Sequence, residues 1–160
     1  EYAALMRAKL GLATADDADR ELIVELLGLM AENGVDYTIL FRRLGDFKRG
    51  ADQNNAALRD LFIRREAFDV WAGRYRARLA QENSDDAERR QRMLRVNPKY
   101  VLRNYLAQTA ISKAAEHKDY SEIDRLLALL RRPFDEQPDM AAYAAPPPDW
   151  AQHIEVSCSS

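Results

Sequence analysis

The sequence predicts an all-α protein, and three observations carry that prediction. Apolar residues recur at i, i+3, i+4 and i+7 in one segment after another, the spacing of a single helical face. Between those segments stand Gly, Pro, Asn and Asp at positions that stop or start helices. No alternating apolar–polar run of useful length, the mark of a half-buried strand, occurs in the 160 residues. No fixed-period repeat occurs either. The expected architecture is a bundle of about six to eight helices over residues 1–133, followed by an irregular Pro-rich tail over 134–160.

The first helix is "EYAALMRAKL", built from strong helix formers and closed by Gly11, which suits a left-handed position past a helix end. Thr14 and Asp17 have the spacing of a capping box, with Asp in place of Glu, and Asp16, Asp17 and Asp19 put negative charge at the next N-terminus. Ile23, Leu26, Leu27 and Met30 give the second helix its apolar stripe, and it ends near Asn33-Gly34. Asp36 is placed to cap a short third helix, "YTILFRRL", which stops at Gly45. "GDFKRGADQNN" reads as a loop, rich in Gly and turn-forming polar residues.

Leu58, Leu61 and Phe62 open the next helical face, and Phe68, Trp71, Tyr75 and Leu79 continue one. Two helices with a bend between them are expected, one long helix being the alternative. Ser84 is expected to cap "DDAERRQRMLRV", acidic at its start and basic at its end as the helix dipole favours. Asn97-Pro98 interrupts that helix and is expected to open the next, because Pro loses no hydrogen bond in a first turn. Leu102, Tyr105, Leu106 and Ala110 form one side of it. Ser121 is expected to cap a last helix, with Ile123, Leu126, Leu127 and Leu130 as its stripe and Pro133 as its end. Pro138, Pro146, Pro147 and Pro148 follow without periodicity, and "HIEV" is too short to read as a strand.

Composition narrows the function classes. Hydrophobic residues make up 47% and charged residues 31%, a globular balance. The formal net charge of -2 gives no overall attraction to nucleic acid or to an anionic membrane. No apolar run approaches the ~20 residues that span a bilayer, and no basic leader precedes an apolar stretch. One cysteine, Cys158, cannot close an internal disulfide. The expectation is a soluble, intracellular protein. Glu1 stands where a Met would begin a chain, in a segment already helical, so a piece of something longer is expected.

A search for chemistry finds no active site. His117 and His153 are far apart and outside any metal-ligand spacing, and a single Cys rules out a thiolate zinc site. There is no G-x-S-x-G, no P-loop and no kinase-type Gly-rich loop. "GDF" at Gly45–Phe47 is a near anagram of the kinase D-F-G, but the order is wrong and it reads as a loop past a helix end. Arg74, Arg76 and Arg78, and Arg89, Arg90, Arg92 and Arg95, are interleaved with Glu66, Asp69, Glu82, Asp85, Asp86 and Glu88. They are expected to form a solvated, ion-paired surface rather than a phosphate-binding strip. Phe68, Trp71 and Tyr75 read as core.

One stretch is more distinctive: "NPKYVLRNYLAQTAISKA", Asn97 to Ala114. Together with "LLGLMAENGVDYTILFRRL", "WAGRYRARL", "DYSEIDRLLALLRRPFDE" and the closing "VSCSS", it resembles the C-terminal portion of the selenoprotein O (YdiU) family. The resemblance runs in order across essentially the whole chain. It implies a protein adenylyltransferase with a protein-kinase-like fold, long regarded as a pseudokinase, that transfers AMP from ATP, with Mg²⁺, to Ser, Thr or Tyr hydroxyls of target proteins. The family's Gly-rich loop, nucleotide-binding Lys and metal-binding Asn and Asp come earlier in the chain and have no matching position here. No catalytic, cofactor-binding or metal residue is therefore assigned, and ATP and Mg²⁺ are expected on the parent protein.

The implied partners are the N-terminal kinase-like part of the same protein and its protein substrates, with no nucleic acid and no membrane. The implied compartment is the cytoplasm, or the mitochondrion for a eukaryotic member. The family carries Cys or selenocysteine third from its C-terminus, the place of Cys158. This implies a redox tail in which Cys158 forms a reversible disulfide with a cysteine elsewhere in the parent; an exposed, inert thiol is the alternative. A stand-alone all-α interaction module without catalysis is the alternative for the chain as a whole.

Overall fold

In the computed structural model, which describes residues 1–50, 55–151 and 154, all regular structure among the described residues is helical. The α-helices are α1 (Tyr2–Lys9), α2 (Asp19–Asn33), α3 (Tyr37–Leu44), α4 (Ala56–Arg59), α5 (Arg65–Gln81), α6 (Asp86–Val96), α7 (Asn104–His117) and α8 (Ser121–Leu130). Short 3₁₀ helices follow at Pro138–Ala144 and Asp149–Ala151. The chain divides into two compact units, Glu1–Asn97 and Pro98–Ser160. The loss of regularity at 133/134 thus falls inside the second unit. There the Pro133 carbonyl accepts from the backbone N–H groups of Lys99 (2.8 Å) and Tyr100 (3.1 Å), tying the end of α8 to the start of the unit.

In the first unit α5 is the spine. Phe68, Trp71, Ala72, Tyr75 and Leu79 share its buried face, and the rings interlock in sequence. Phe62 stacks on Phe68 (centroids 4.7 Å apart), Trp71 stacks on Tyr75 (5.0 Å), and Phe47 meets Tyr75 edge-on (4.9 Å). Each polar handle on this face is satisfied, as a buried aromatic N–H or O–H requires. Trp71 Nε1 donates to the Leu22 carbonyl of α2 (3.0 Å), and Tyr75 Oη donates to the Leu10 carbonyl past α1 (2.6 Å). Burial pushes the Tyr75 phenol far above its ordinary value, so it remains a donor. The break expected between Leu58 and Phe68 is present, but α4 is a single turn ending at Arg59, so Leu61 and Phe62 lie in the 60–64 link and not on the expected helical face.

Two helix ends follow the sequence closely. Gly34 closes α2 at φ 62°, and Asp36 Oδ1 caps α3 by accepting from Ile39 N–H (2.9 Å). Other expected caps are corrected. The Thr14–Asp17 box does not form: Thr14 Oγ1 donates instead to Glu82 (3.2 Å), and Asp16 Oδ1 accepts from Ala18 N–H (2.8 Å). Asp85, not Ser84, caps α6, accepting from Ala87 and Glu88 N–H (both 2.9 Å). Ser84 is buried one residue earlier.

In the second unit Pro98 does not open a helix. Lys99 and Tyr100 commit their N–H groups to Pro133, the segment stays non-helical through Arg103, and α7 starts at Asn104. Leu102 therefore leaves the helical face and is exposed. Tyr120 occupies the N-cap of α8 without a side-chain bond, and Asp119 Oδ1 accepts from Ser121 N–H (3.0 Å), so Ser121 is the first helical residue rather than the cap. The buried line of α8 is Glu122, Leu126 and Leu129, one residue out of phase with the expected stripe.

Gly11 sits at φ +72°, and a Cβ there would lie 2.6 Å from Arg89 Cγ and 2.7 Å from Met93 Cγ. Glycine is thus required twice over, by the left-handed turn and by the close approach of α6. Gly11→Ala is expected to destabilise the protein by roughly 2 kcal/mol or more, read as a lower urea midpoint at unchanged slope.

Candidate functional site

The polar residues that the first unit gathers most tightly surround Arg78. Its guanidinium is almost fully buried where the last turns of α5 meet the start of α2. Arg78 Nε donates to Asp19 Oδ1 at 2.7 Å, Nη1 to Glu82 Oε2 at 3.2 Å, and Nη2 to the Thr14 carbonyl at 2.9 Å. Glu82 turns its other acceptor capacity on the turn before α2, receiving the N–H groups of Ala13 and Thr14. Burial works against the charge on Arg78, but the hydrogen bond and charge of Asp19, helped by Glu82, outweigh it and raise its pKa.

A second buried guanidinium, Arg89, lies on α6 and is fully withdrawn from solvent. It donates to Asp86 Oδ1 (2.6 Å) and to the carbonyl of Phe47. Asp86 in turn accepts from Arg49 N–H at 3.2 Å. Burial alone would raise the Asp86 carboxyl, but Arg89 and the Arg49 N–H hold it below its ordinary value. The "GDF" stretch is therefore a loop pinned from below, its Phe47 ring in the core and its carbonyl on Arg89.

In the second unit the corresponding cluster is built on Glu122. Its carboxylate receives Tyr143 Oη at 2.6 Å, Lys113 Nζ at 3.1 Å and Arg125 Nη1 at 3.1 Å. The Tyr143 hydrogen bond, with Lys113 and Arg125, keeps Glu122 below its ordinary value against the opposing effect of burial. This cluster fixes the rotation of α8, because Glu122 must face α7 and the tail at once. It also clips the Pro138–Ala144 turn to α8.

Each buried charge in these clusters faces an opposite charge or a carbonyl, while Arg89 Nε is buried without a hydrogen-bond partner. A groove of about 230 Å³ between α2 and α5 is lined by Glu21, Glu25, Arg74, Arg78 and Gln81. Its charges also pair with one another, Arg74 with Glu25 and with Glu21 (3.7 Å). Among the described residues no three His, Cys, Asp or Glu side chains are gathered to hold a metal, and no helix is long and apolar enough to cross a membrane. His117 is exposed at the end of α7; His153 and Cys158 lie outside the described residues. The expectation of a solvated arginine surface holds for Arg74, paired with Glu25, and for Arg90, paired with Asp46 at 2.6 Å. It is corrected for Arg78 and Arg89, which are core residues. The Arg78–Glu82 spacing of i, i+4 was a signal for that pair; nothing in the local sequence marked Asp19 or Tyr143 as the distant partners.

The family model described as "Protein adenylyltransferase SelO" matches residues 1–131. The chain belongs to the SelO family. It is 59% identical over 159 residues to the protein nucleotidyltransferase YdiU of Thiobacillus denitrificans, covering 99% of this chain and 32% of that protein. It is 58% identical over 155 residues to the YdiU of Myxococcus xanthus, again 32% of that protein, and 57% identical to that of Burkholderia orbicola, 30% of it. This SelO-family chain thus spans about a third of the length of the curated relatives it matches.

Breaking the Arg78 cluster strands a buried charge. Asp19→Ala is expected to cost about 3–5 kcal/mol in denaturant unfolding, whereas Arg74→Ala, which removes a solvent-exposed pair, should cost under about 1 kcal/mol. Equal losses would show that the Arg78–Asp19 pair contributes no more than a surface contact.

Proposed function

We propose that this chain is the C-terminal helical part of a protein adenylyltransferase that transfers AMP from ATP, with Mg²⁺, to Ser, Thr or Tyr hydroxyls of target proteins. The observation that carries this reading is the family match over residues 1–131 combined with the share of the relatives, 30–32%, that the chain covers. The residues described here do not fit a nucleotide–metal site. Arg78, Arg89, Arg74 and Arg90 are committed to Asp19, Glu82, Asp86, Glu25, Asp46 and backbone carbonyls, and among the described residues no three His, Cys, Asp or Glu side chains are gathered for a cation. On this reading ATP and Mg²⁺ bind in the preceding, kinase-like part of the parent, and these helices support that part. Its partners are the protein substrates and the rest of its own chain.

The test uses the full-length parent with Mg²⁺, a protein acceptor and ATP labelled at either the α- or the γ-phosphate. Label should reach the acceptor from the α-position only, and a chelator should abolish transfer. Transfer from the γ-position would make the parent a kinase and overturn the reading. Labelling by residues 1–160 alone would move the nucleotide site into these helices.

The same reading gives Cys158 a role as a redox tail, its thiolate pairing reversibly with a cysteine elsewhere in the parent and altering activity. Peptide mapping of the oxidised full-length protein without reductant should recover Cys158 in a disulfide-linked peptide that collapses on reduction. Recovery of Cys158 solely as a thiol would end the idea.

A further inference from the structure

Arg78 and Arg89 each have a carboxylate of their own, Asp19 and Asp86. Arg76, half-buried on α5, has none among the described residues. Its guanidinium stands against the Phe47 ring, with Cζ 5.7 Å from the centroid, and its Nε is buried without an acceptor. The ring offsets part of the lost hydration of the cation but accepts no conventional hydrogen bond. Buried N–H groups of native proteins almost always find an acceptor. Arg76 also lines a cavity of about 250 Å³ beside α4, together with Asn55, Arg59, Phe68, Asp69 and Ala72. The other polar groups of that lining are engaged. Asn55 exchanges two bonds with the Lys48 backbone, at 2.8 and 3.1 Å, and Asp69 receives Arg59 Nε on its two oxygens, at 2.9 and 3.0 Å. With Arg59 and Asp69 offsetting each other, the lining keeps one net positive charge, that of Arg76.

We propose that this cavity is an oxyanion site, in which the Arg76 guanidinium binds the phosphate or carboxylate group of a ligand. The edge of a guanidinium presents paired N–H donors at the spacing of two oxygens of either group. An oxyanion supplies both the acceptor that Nε lacks and the opposite charge that the lining lacks. Water supplies only the first. A cationic ligand would meet a charge of its own sign, and an apolar one would desolvate Arg76 further with nothing to compensate it. The Phe47 ring already restrains the guanidinium, so less side-chain freedom is lost when a ligand binds. All of these residues lie in the first unit, and the site does not depend on what the parent transfers.

The test is phenylglyoxal labelling of arginines in the full-length protein, quantified at Arg76 by peptide mass spectrometry. Inorganic phosphate or acetate replaces chloride at constant ionic strength. At about 20 mM anion the labelling of Arg76 should slow about fivefold, as a dissociation constant of about 5 mM gives. Exposed Arg74, two residues away on the same helix, should keep its rate. Protection by phosphate alone supports a phosphate ligand, and protection by acetate as well supports a carboxylate. Unchanged labelling of Arg76 in both anions overturns the site. Asp52→Asn checks for an occupant from this chain. Faster labelling of Arg76 in that variant without added anion overturns the site too, and gives the cavity to the chain's own carboxylate. A second readout is the melting temperature: phosphate at constant ionic strength should raise that of the wild type more than that of Arg76→Gln. Equal increments overturn the site, and the comparison cancels phosphate bound anywhere else on the parent.

Discussion

The buried guanidinium of Arg78 constrains the first unit more than any other group. Taking a full charge out of water is expensive, and the fold tolerates it only because Asp19, Glu82 and the Thr14 carbonyl converge on it. Those partners come from the start of α2, the end of α5 and the turn between α1 and α2. Satisfying Arg78 therefore fixes how three segments meet. Arg78 is three residues from Tyr75 and seven from Trp71, so the same rotation of α5 that buries the charge also aims both rings at α1 and α2. Trp71 then reaches the Leu22 carbonyl and Tyr75 the Leu10 carbonyl. Arg89 repeats the device on α6, where one side chain joins Asp86 to the loop at Phe47.

Apolar spacing made the helices legible, because burying a stripe is a demand that a helix meets through its own period. Gly34 and Asp36 were legible for a similar reason: a left-handed end and a cap three residues before its donor are local geometry. What sequence could not show was how polar side chains choose among distant partners. Thr14 has a local option at Asp17, yet Glu82 claims it from 68 residues away. Ser84 and Asp85 are both good caps, and the carboxylate, charged and facing the positive end of α6, takes the place. On α8 the apolar stripe predicted one rotation and the Glu122 cluster imposed another, leaving Ile123 and Leu127 outward. The site was legible only as a gap: the arginines that looked like a surface were, at Arg78 and Arg89, parts of the interior.

The stretch that made the family recognisable, Asn97 to Ala114, begins with four residues, of which the structure uses Asn97, Lys99 and Tyr100 as anchors. Asn97 is buried; its Nδ2 donates to the Lys9 carbonyl (2.9 Å) and its own carbonyl accepts from Arg42 (2.9 Å). Lys99 pairs with Glu136 (2.5 Å), and Tyr100 Oη donates to the Gln137 carbonyl (2.8 Å). Pro98, between them, has no N–H to place and disfavours a helical Asn97. Each of these side chains secures the unit it belongs to, Asn97 the end of the first and Lys99 and Tyr100 the start of the second. The contacts of Asn97, Lys99 and Tyr100 all stay within one unit, on backbone carbonyls and one carboxylate. The first unit pairs its two buried guanidinium groups from within, and the second leaves Tyr120, Ile123 and Leu127 turned outward.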